Sequence, residues 1–407
     1  MLYREIYEIL KNSYDESKNI INIPEMDLLI KKRPFSSYNV DNLLPGSKKL
    51  FCPIHDVFFD EDDTIKKSNN KSILEIADSD IECNYNFNYL HFQSTSNRIS
   101  KDIIIFFHGL NEKKWDKYLP WAYYLCQKTG KDVILFPIAF HMHRAPDFWS
   151  DRREMNEVAK LRSKSKDNME CSFVNAAIST RMEAYPQRLF WTGMETYKDT
   201  VHFIEHIREG KIENIDPNAS VNLFGYSIGT FLSLILLMGN PKGFFTNSKF
   251  FSYCGGMTFD RMYPVSKYIL DSQSSIAIQK FFAEILATNF ENEKRLAHFQ
   301  NSEEHPGESW FKTMLRYNFY QDVREKRFKE LENQIKSFVL KKDEVAPASE
   351  SLNTLQGAYR DINIPVVVAD YPYDYSHMVP FPLTYKNEQE ITQSFFETFD
   401  SATDFLK

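Results

Sequence analysis

Cysteine is scarce in this 407-residue sequence, and the five present (Cys52, Cys83, Cys126, Cys171 and Cys254) are odd in number and widely scattered, with no C-x-x-C spacing. That excludes a dense disulfide framework and predicts reduced, mostly structural thiols. Long apolar runs are missing too. The longest, such as Phe231 to Met238, fall far short of the roughly 20 residues a bilayer-spanning helix needs. The opening stretch MLYREIYEILKNSYDESKN has no continuous apolar segment of the kind a secretory signal carries. A soluble, cytoplasmic chain with no membrane span is the expectation. Basic residues are not in excess: 49 Lys and Arg against 56 Asp and Glu leave a formal charge of −7, which argues against nucleic acid as a partner. Neither a Walker A loop nor a G-x-G-x-x-G after a strand occurs, so nucleotide binding has no support and no cofactor is expected.

What is present is an ordinary globular balance, 43% hydrophobic and 26% charged, with an aromatic share of 15% that suits a core of large side chains and an apolar pocket. Leu2, Ile6, Ile9 and Leu10 recur at helical spacing, with Tyr3 and Tyr7 near the apolar edge. Pro24, Pro34, Pro45 and Pro53 then mark an irregular stretch, and the run from Asp60 to Ser72 reads as a solvated loop. From Asn84 to Phe92 strict alternation predicts a half-exposed strand near a sheet edge, with Tyr85, Phe87 and Tyr89 on one face and Asn84, Asn86 and Asn88 on the other.

Later apolar runs do not alternate. Ile103 to Phe107, Val133 to Phe136, Val221 to Phe224, Phe250 to Tyr253, Phe338 to Leu340 and Val366 to Ala369 are short and continuous, as strands of a parallel sheet covered on both faces are. Helical patterns separate them: Trp115 to Thr129 before Gly130, and a stripe of Tyr197, Val201, Ile204 and Ile207 behind a Thr192/Glu195 capping box. Two long intervals, about 141–191 and 257–330, interrupt this βα rhythm, the second with helical patterns around Ser274 to Asn289 and Glu308 to Asn333. Each follows the carboxyl end of a strand, where open α/β sheets bind ligands, so a cap over the site is expected. The fold class is α/β, a mostly parallel central sheet flanked by helices. Residues 1–83 form an extension packed on a domain spanning 84–407.

The most informative stretch is Val221 to Met238, VNLFGYSIGTFLSLILLM, a strand pattern, a Gly-Tyr-Ser-Ile-Gly turn and a helix pattern. In such an elbow Ser227 takes unfavourable backbone angles, and Gly225 and Gly229 avoid clashes that a Cβ would create. Three further signals follow the same logic. His108-Gly109-Leu110 follows one strand pattern, Asp343 another, and His377 the last. With Ser, Asp and His in that order, the chain resembles the α/β-hydrolase superfamily from about Asn84 onward. The stretches HGLNEKKWDKYLPWAYYL and PIAFHMHRAP resemble a bacterial branch of that superfamily, which adds no substrate.

The resemblance implies a serine hydrolase: Ser227 as nucleophile, His377 as general base and then acid, and Asp343 as the residue orienting the imidazole. It also implies an oxyanion hole built from the backbone N–H groups of Ile228 and Leu110. Asp260, after the preceding strand, is the main rival acid, followed by Glu344, Asp370 and Asp374. A small-molecule acyl substrate, most simply a carboxylic ester, is expected, with His108, Tyr226, His141, His143 and Trp149 as candidate contacts. Thioesterase, peptidase or acyltransferase chemistry on the same three residues, and a non-catalytic binding protein, are the alternatives. Arg144, Phe148, Trp149, Arg152, Arg153, Arg188, Phe190 and Trp191 could hold a carboxylate-bearing or aromatic acyl group, or simply pack. Two metal patterns also occur. His202 to His206 reads H-x-x-E-H, and His141-Met-His143 offers two imidazoles, yet each has a simpler polar-surface or pocket-lining explanation, so no metal is assigned. Oligomeric state is not legible.

Overall fold

Continuous apolar runs become strands buried on both faces. The computed structural model describes residues 1–38, 43–45, 47, 50–60, 76–96, 99–165 and 167–407; most of the Asp60–Ser72 run lies outside them. Its strands are β1 Ile20–Ile23, β2 Leu28–Ser36, β3 Leu50–Cys52, β4 Val57–Phe59, β5 Asn86–Gln93 and β6 Ser100–Phe107, then β7 Asp132–Leu135, β8 Ile215–Tyr226, β9 Phe250–Tyr253, β10 Ile335–Leu340 and β11 Val366–Ala369. Nine of them form one sheet in the order β1-β2-β5-β7-β6-β8-β9-β10-β11, while β3 and β4 pair as a separate hairpin. From β7 to β11 every pairing in that sheet is parallel. β5, β2 and β1 are added antiparallel.

β6 shows why its pattern does not alternate. Ile103, Ile105 and Phe107 feed the core on one face of the sheet, and Ile104 and Phe106 feed the core on the other. The first face is covered by the helices Arg188–Arg208 and Ile228–Gly239, through residues such as Phe203, Ile204 and Leu234. The second is covered by Tyr3–Ser13, Leu119–Thr129 and Glu388–Leu406, through Ile6, Trp121 and Phe399. This doubly covered, mostly parallel sheet is the α/β-hydrolase fold class. Among the described residues, no helix is long and apolar enough to cross a membrane.

Four expectations change. β5 is neither at an edge nor half-exposed: it is the third strand, and Asn84 just before it is fully buried. The edge is supplied by β1 and β2, from the stretch read as irregular because of its prolines. Pro34 is tolerated because β1 pairs only with Leu28–Lys31, so at Pro34 strand β2 is itself the rim. The Thr192/Glu195 pair does not cap a helix, because the helix already begins at Arg188, and Glu195 turns inward. Helical pattern at Glu308–Asn333 is divided among a short turn Glu308–Trp310, Phe311–Leu315 and Gln321–Glu330. The 141–191 and 257–330 segments pack on each other. Arg162 joins Asp271 (Nε to Oδ2, 2.5 Å), and Asn175 donates to the Ser266 carbonyl at 2.8 Å.

Candidate active site

After β6 the chain crosses to β7 on one side and then to β8 on the other, so the carboxyl ends of β6 and β8 sit side by side where the strand order reverses. Crevices open at such points. At the end of β8, Ser227 stands at φ 55° and ψ −122° and heads the helix Ile228–Gly239. The close approach around it requires the two glycines. A Cβ on Gly225 would lie 2.7 Å from the carbonyl oxygen of Gly229, and one on Gly229 would lie 2.8 Å from the carbonyl oxygen of His108 and closer still to that of Phe107. These are backbone atoms, which cannot step aside.

Asp343 follows β10 and His377 follows β11, and both loops reach the elbow. The Ser227 hydroxyl donates to His377 Nε2 at 2.7 Å, and His377 Nδ1–H donates to Asp343 Oδ2 at 2.7 Å. The other oxygen of Asp343 accepts from the N–H groups of Val345 (2.9 Å) and Ala346 (2.8 Å), which fixes the carboxylate plane. All three residues are buried, Ser227 being 7% exposed. Asp260 is elsewhere: it accepts from Thr258 Oγ1 at 2.7 Å and from the Tyr317 N–H at 2.9 Å. The Ile228 N–H begins its helix, and among the described residues neither it nor the Leu110 N–H donates to a protein group.

Tyr226 acts on the imidazole rather than facing a cavity. Its ring stacks on His377 at 5.4 Å between centroids, and its hydroxyl donates to the His377 carbonyl. His108 is spent on the backbone. Its Nδ1–H donates to the Gly109 carbonyl at 2.8 Å and its Nε2 accepts from the Ile138 N–H at 3.0 Å, while burial holds its pKa well below the usual imidazole range. His141 donates through Nδ1 to the Ala139 carbonyl at 2.8 Å, and its buried Nε2 has no partner. Burial lowers its pKa to about 4. His141 and Trp149 line a cavity of about 30 Å³ with Asn111 and Lys113, whereas His143 points away toward Glu16, 4.0 Å distant.

A larger groove of about 680 Å³ borders the loop that carries His377, although neither Ser227 nor His377 lines it. Ser376 and Met378, the neighbours of His377, form one wall, and Asn111 and Lys117 another; Tyr3 and Tyr7 of the first helix complete it. Asn111 ties this wall to both long insertions, donating to the carbonyls of Val174 (3.1 Å) and Tyr268 (2.7 Å). Lys113 lines both the groove and the small cavity, and burial lowers its pKa to about 8. Among the described residues no carboxylate pairs with it. Sequence reasoning passed over Lys113, Asn111, Tyr3 and Tyr7. Only their nearness to His108-Gly109-Leu110, or the unassigned amphipathic helix, could have pointed to them.

Arg144 and Arg188 of the first insertion are committed to structure instead. Arg144 is fully buried between Glu195 (3.1 Å) and Asp199 (2.8 Å), with Asn84 completing the cluster, and burial pushes the Glu195 carboxyl up to about 8. Arg188 pairs with Asp78, while Phe190 and Trp191 belong to the core. Arg152 lies over the Phe173 ring at the surface, and Arg153 is exposed. The two metal patterns do not converge. In HFIEH, His202 faces Glu205 at 3.9 Å and His206 meets the Tyr38 hydroxyl at 3.4 Å, while His141 and His143 point apart.

A family model described as "Family of unknown function (DUF6051)" matches residues 1–407. The chain belongs to this family. No curated protein matches this DUF6051 member. Solved structures similar to it include carboxyl esterase 2 from the mycorrhizal fungus Tuber melanosporum, 11% identical, covering 79% of this chain and 81% of that one, with a TM-score of 0.41. A thermostable esterase from Pseudomonas putida ECU1011 is 10% identical and covers 100% and 91%, with a TM-score of 0.41. Esterase Est22 is 11% identical and covers 99% and 87%, with a TM-score of 0.45. These likenesses assign no residue and no substrate to the DUF6051 chain.

Proposed function

We propose that this DUF6051 chain is a serine hydrolase that cleaves a carboxylic ester of a small molecule through an acyl-enzyme. The observation carrying this reading is the unbroken hydrogen-bond line from Ser227 Oγ through His377 to Asp343, with both steps at 2.7 Å, drawn from three separate strand ends. In this reading His377 Nε2 takes the hydroxyl proton as Ser227 Oγ attacks the ester carbonyl, and Asp343 stabilises the imidazolium. The oxyanion meets the N–H groups of Ile228 and Leu110. His377 then protonates the departing alkoxide, and a water activated by the same imidazole releases the acid. Serine at the elbow, in place of a carboxylate, does not suit alkyl-enzyme chemistry on haloalkanes or epoxides.

The reading extends to the surroundings. The mainly apolar groove suits an acyl or alcohol group of the ester, and the insertions 141–191 and 257–330 act as a cap on a domain of 84–407, with 1–83 as its extension. The scarce, scattered cysteines without C-x-x-C spacing fit a reducing, cytoplasmic setting, and the bacterial branch suggested by HGLNEKKWDKYLPWAYYL belongs to the same reading. Fluorophosphonate labelling tests it. The wild-type chain should be labelled and Ser227→Ala should not, with ester turnover lost in parallel. A folded chain that neither labels nor turns over a panel of esters of increasing acyl length would be a binding protein on this fold.

A further inference from the structure

The hairpin β3–β4 is only three residues per strand and stands apart from the main sheet. A two-stranded hairpin of that length has little stability of its own. What it meets is a cluster of nitrogen and sulfur ligands. Cys52 ends β3 and His55 lies in the turn, a C-x-x-H spacing, while His298 and His305 come from the helix Lys294–Gln300 and the turn after it. One donor atom from each of the four falls within 4.8 Å of all the others.

Three of the internal distances lie near those of a tetrahedral site. Cys52 Sγ lies 3.5 Å from His55 Nδ1 and 3.5 Å from His305 Nε2, and the Nε2 atoms of His305 and His298 are 3.0 Å apart. Zinc bonds of about 2.3 Å to sulfur and about 2.0–2.1 Å to nitrogen, at tetrahedral angles, put S···N edges near ~3.6 Å and N···N edges near ~3.4 Å. The three imidazoles stand edge-on to one another, with centroids 4.7–5.0 Å apart, around that common point.

The outer partner of His298 fixes which of its nitrogens is free to bind. His298 Nδ1 lies 3.0 Å from Glu304 and donates its proton to that carboxylate, while the buried His305 Nδ1 stands 3.7 Å from Glu308 with no hydrogen-bond partner among the described residues. The Nε2 lone pair of His298 then faces His305 Nε2 across 3.0 Å. A cation there would be bound by both nitrogens, and the Glu304–His298 pair is of the carboxylate–histidine kind that forms the usual outer shell of a bound metal. Phe59 and Phe299 pack on the histidine rings and keep the site apolar.

We propose that Cys52, His55, His298 and His305 form a structural zinc site that clasps the β3–β4 hairpin to the second insertion. Thiolate and imidazole donors select zinc over magnesium or calcium, and four protein ligands leave no open position for substrate. The clasp joins segments far apart in the chain, so its binding energy is folding energy for the hairpin. It is separate from the serine site and does not depend on the proposed hydrolase activity.

The test uses the full chain. Elemental analysis of purified protein, after dialysis against zinc and then buffer, should give about one zinc per chain, and Ser227→Ala should retain it. Cobalt substituted into metal-free protein should show the intense visible bands of a tetrahedral site and a thiolate charge-transfer band, the latter lost in Cys52→Ser. His55 is exposed, so His55→Ala leaves the fold intact. That variant should weaken zinc binding by more than the roughly 100-fold that loss of an outer partner costs. Removing zinc from the wild type should lower its melting temperature. Substoichiometric zinc in folded wild type, or zinc held equally well by Cys52→Ser and His55→Ala, would overturn the proposal.

Discussion

The side chain that decides between rival acids is Asp343, because among the described residues its carboxylate alone reaches His377 Nδ1. Asp343→Asn should present the wrong imidazole tautomer to Ser227 and cost on the order of 10⁴ in turnover. Asp260→Asn should leave turnover within about threefold, since that carboxylate serves Thr258 and Tyr317; steady-state ester kinetics on both variants compare them directly. Lys113 bears on substrate choice. Its amine titrates near pH 8 and lines both cavities without an acidic partner, so it is cationic below that pH and neutral above it. Esters carrying a carboxylate should therefore show a KM that rises above pH 8, and Lys113→Met should raise it at pH 7 without affecting neutral esters. Equal effects on both ester classes would remove Lys113 from recognition.

Among the elements, the long helix Arg188–Arg208 shows what a linear reading misses. Thr192 and Glu195 have the spacing of a capping box, but a single buried cation, Arg144, outweighs that local signal and draws Glu195 and Asp199 inward. A capping interaction is worth about 1 kcal/mol, whereas an unpaired buried charge costs several. Arg144→Met should thus destabilise the protein by about 3–5 kcal/mol, read from urea unfolding midpoints, while a substrate-binding arginine would change KM instead. Strands buried on both faces, and the elbow between two of them, were legible because their runs are unbroken and their order is linear. β1 and β2 were not, because prolines obscure a rim strand and because the residues that place it, on β5, lie 50 to 64 positions later in its register. The Cys52, His55, His298 and His305 cluster was illegible for a related reason: its halves are each unremarkable, and only the tertiary fold joins them.

Taken as a whole, the molecule carries its acid sensitivity in buried, neutral histidines. His141 accepts a proton near 6.5 when unfolded but only near 4 in the fold, and His108 shifts the same way. Between those pH values the unfolded chain binds more protons, so stability declines as pH drops through 6.5, and the loss from His141 levels off near 4 at roughly 3 kcal/mol. Urea midpoints between pH 7 and 4.5 should fall for the wild type and fall less for His141→Gln; identical slopes would refute the assignment. The first helix carries one more consequence. Tyr3 donates its N–H to Thr392 at 3.1 Å, Arg4 pairs with Glu388 at 2.6 Å, and Tyr3 and Tyr7 wall the groove. A ribosome must therefore add 389 residues after Tyr3 before the first helix meets Thr392, although Leu119–Thr129, on which it also packs, emerges far earlier. The wall that Tyr3 and Tyr7 give the groove is set only after Thr392 has been made, so through that stretch of synthesis a nascent chain has no finished pocket to offer a substrate.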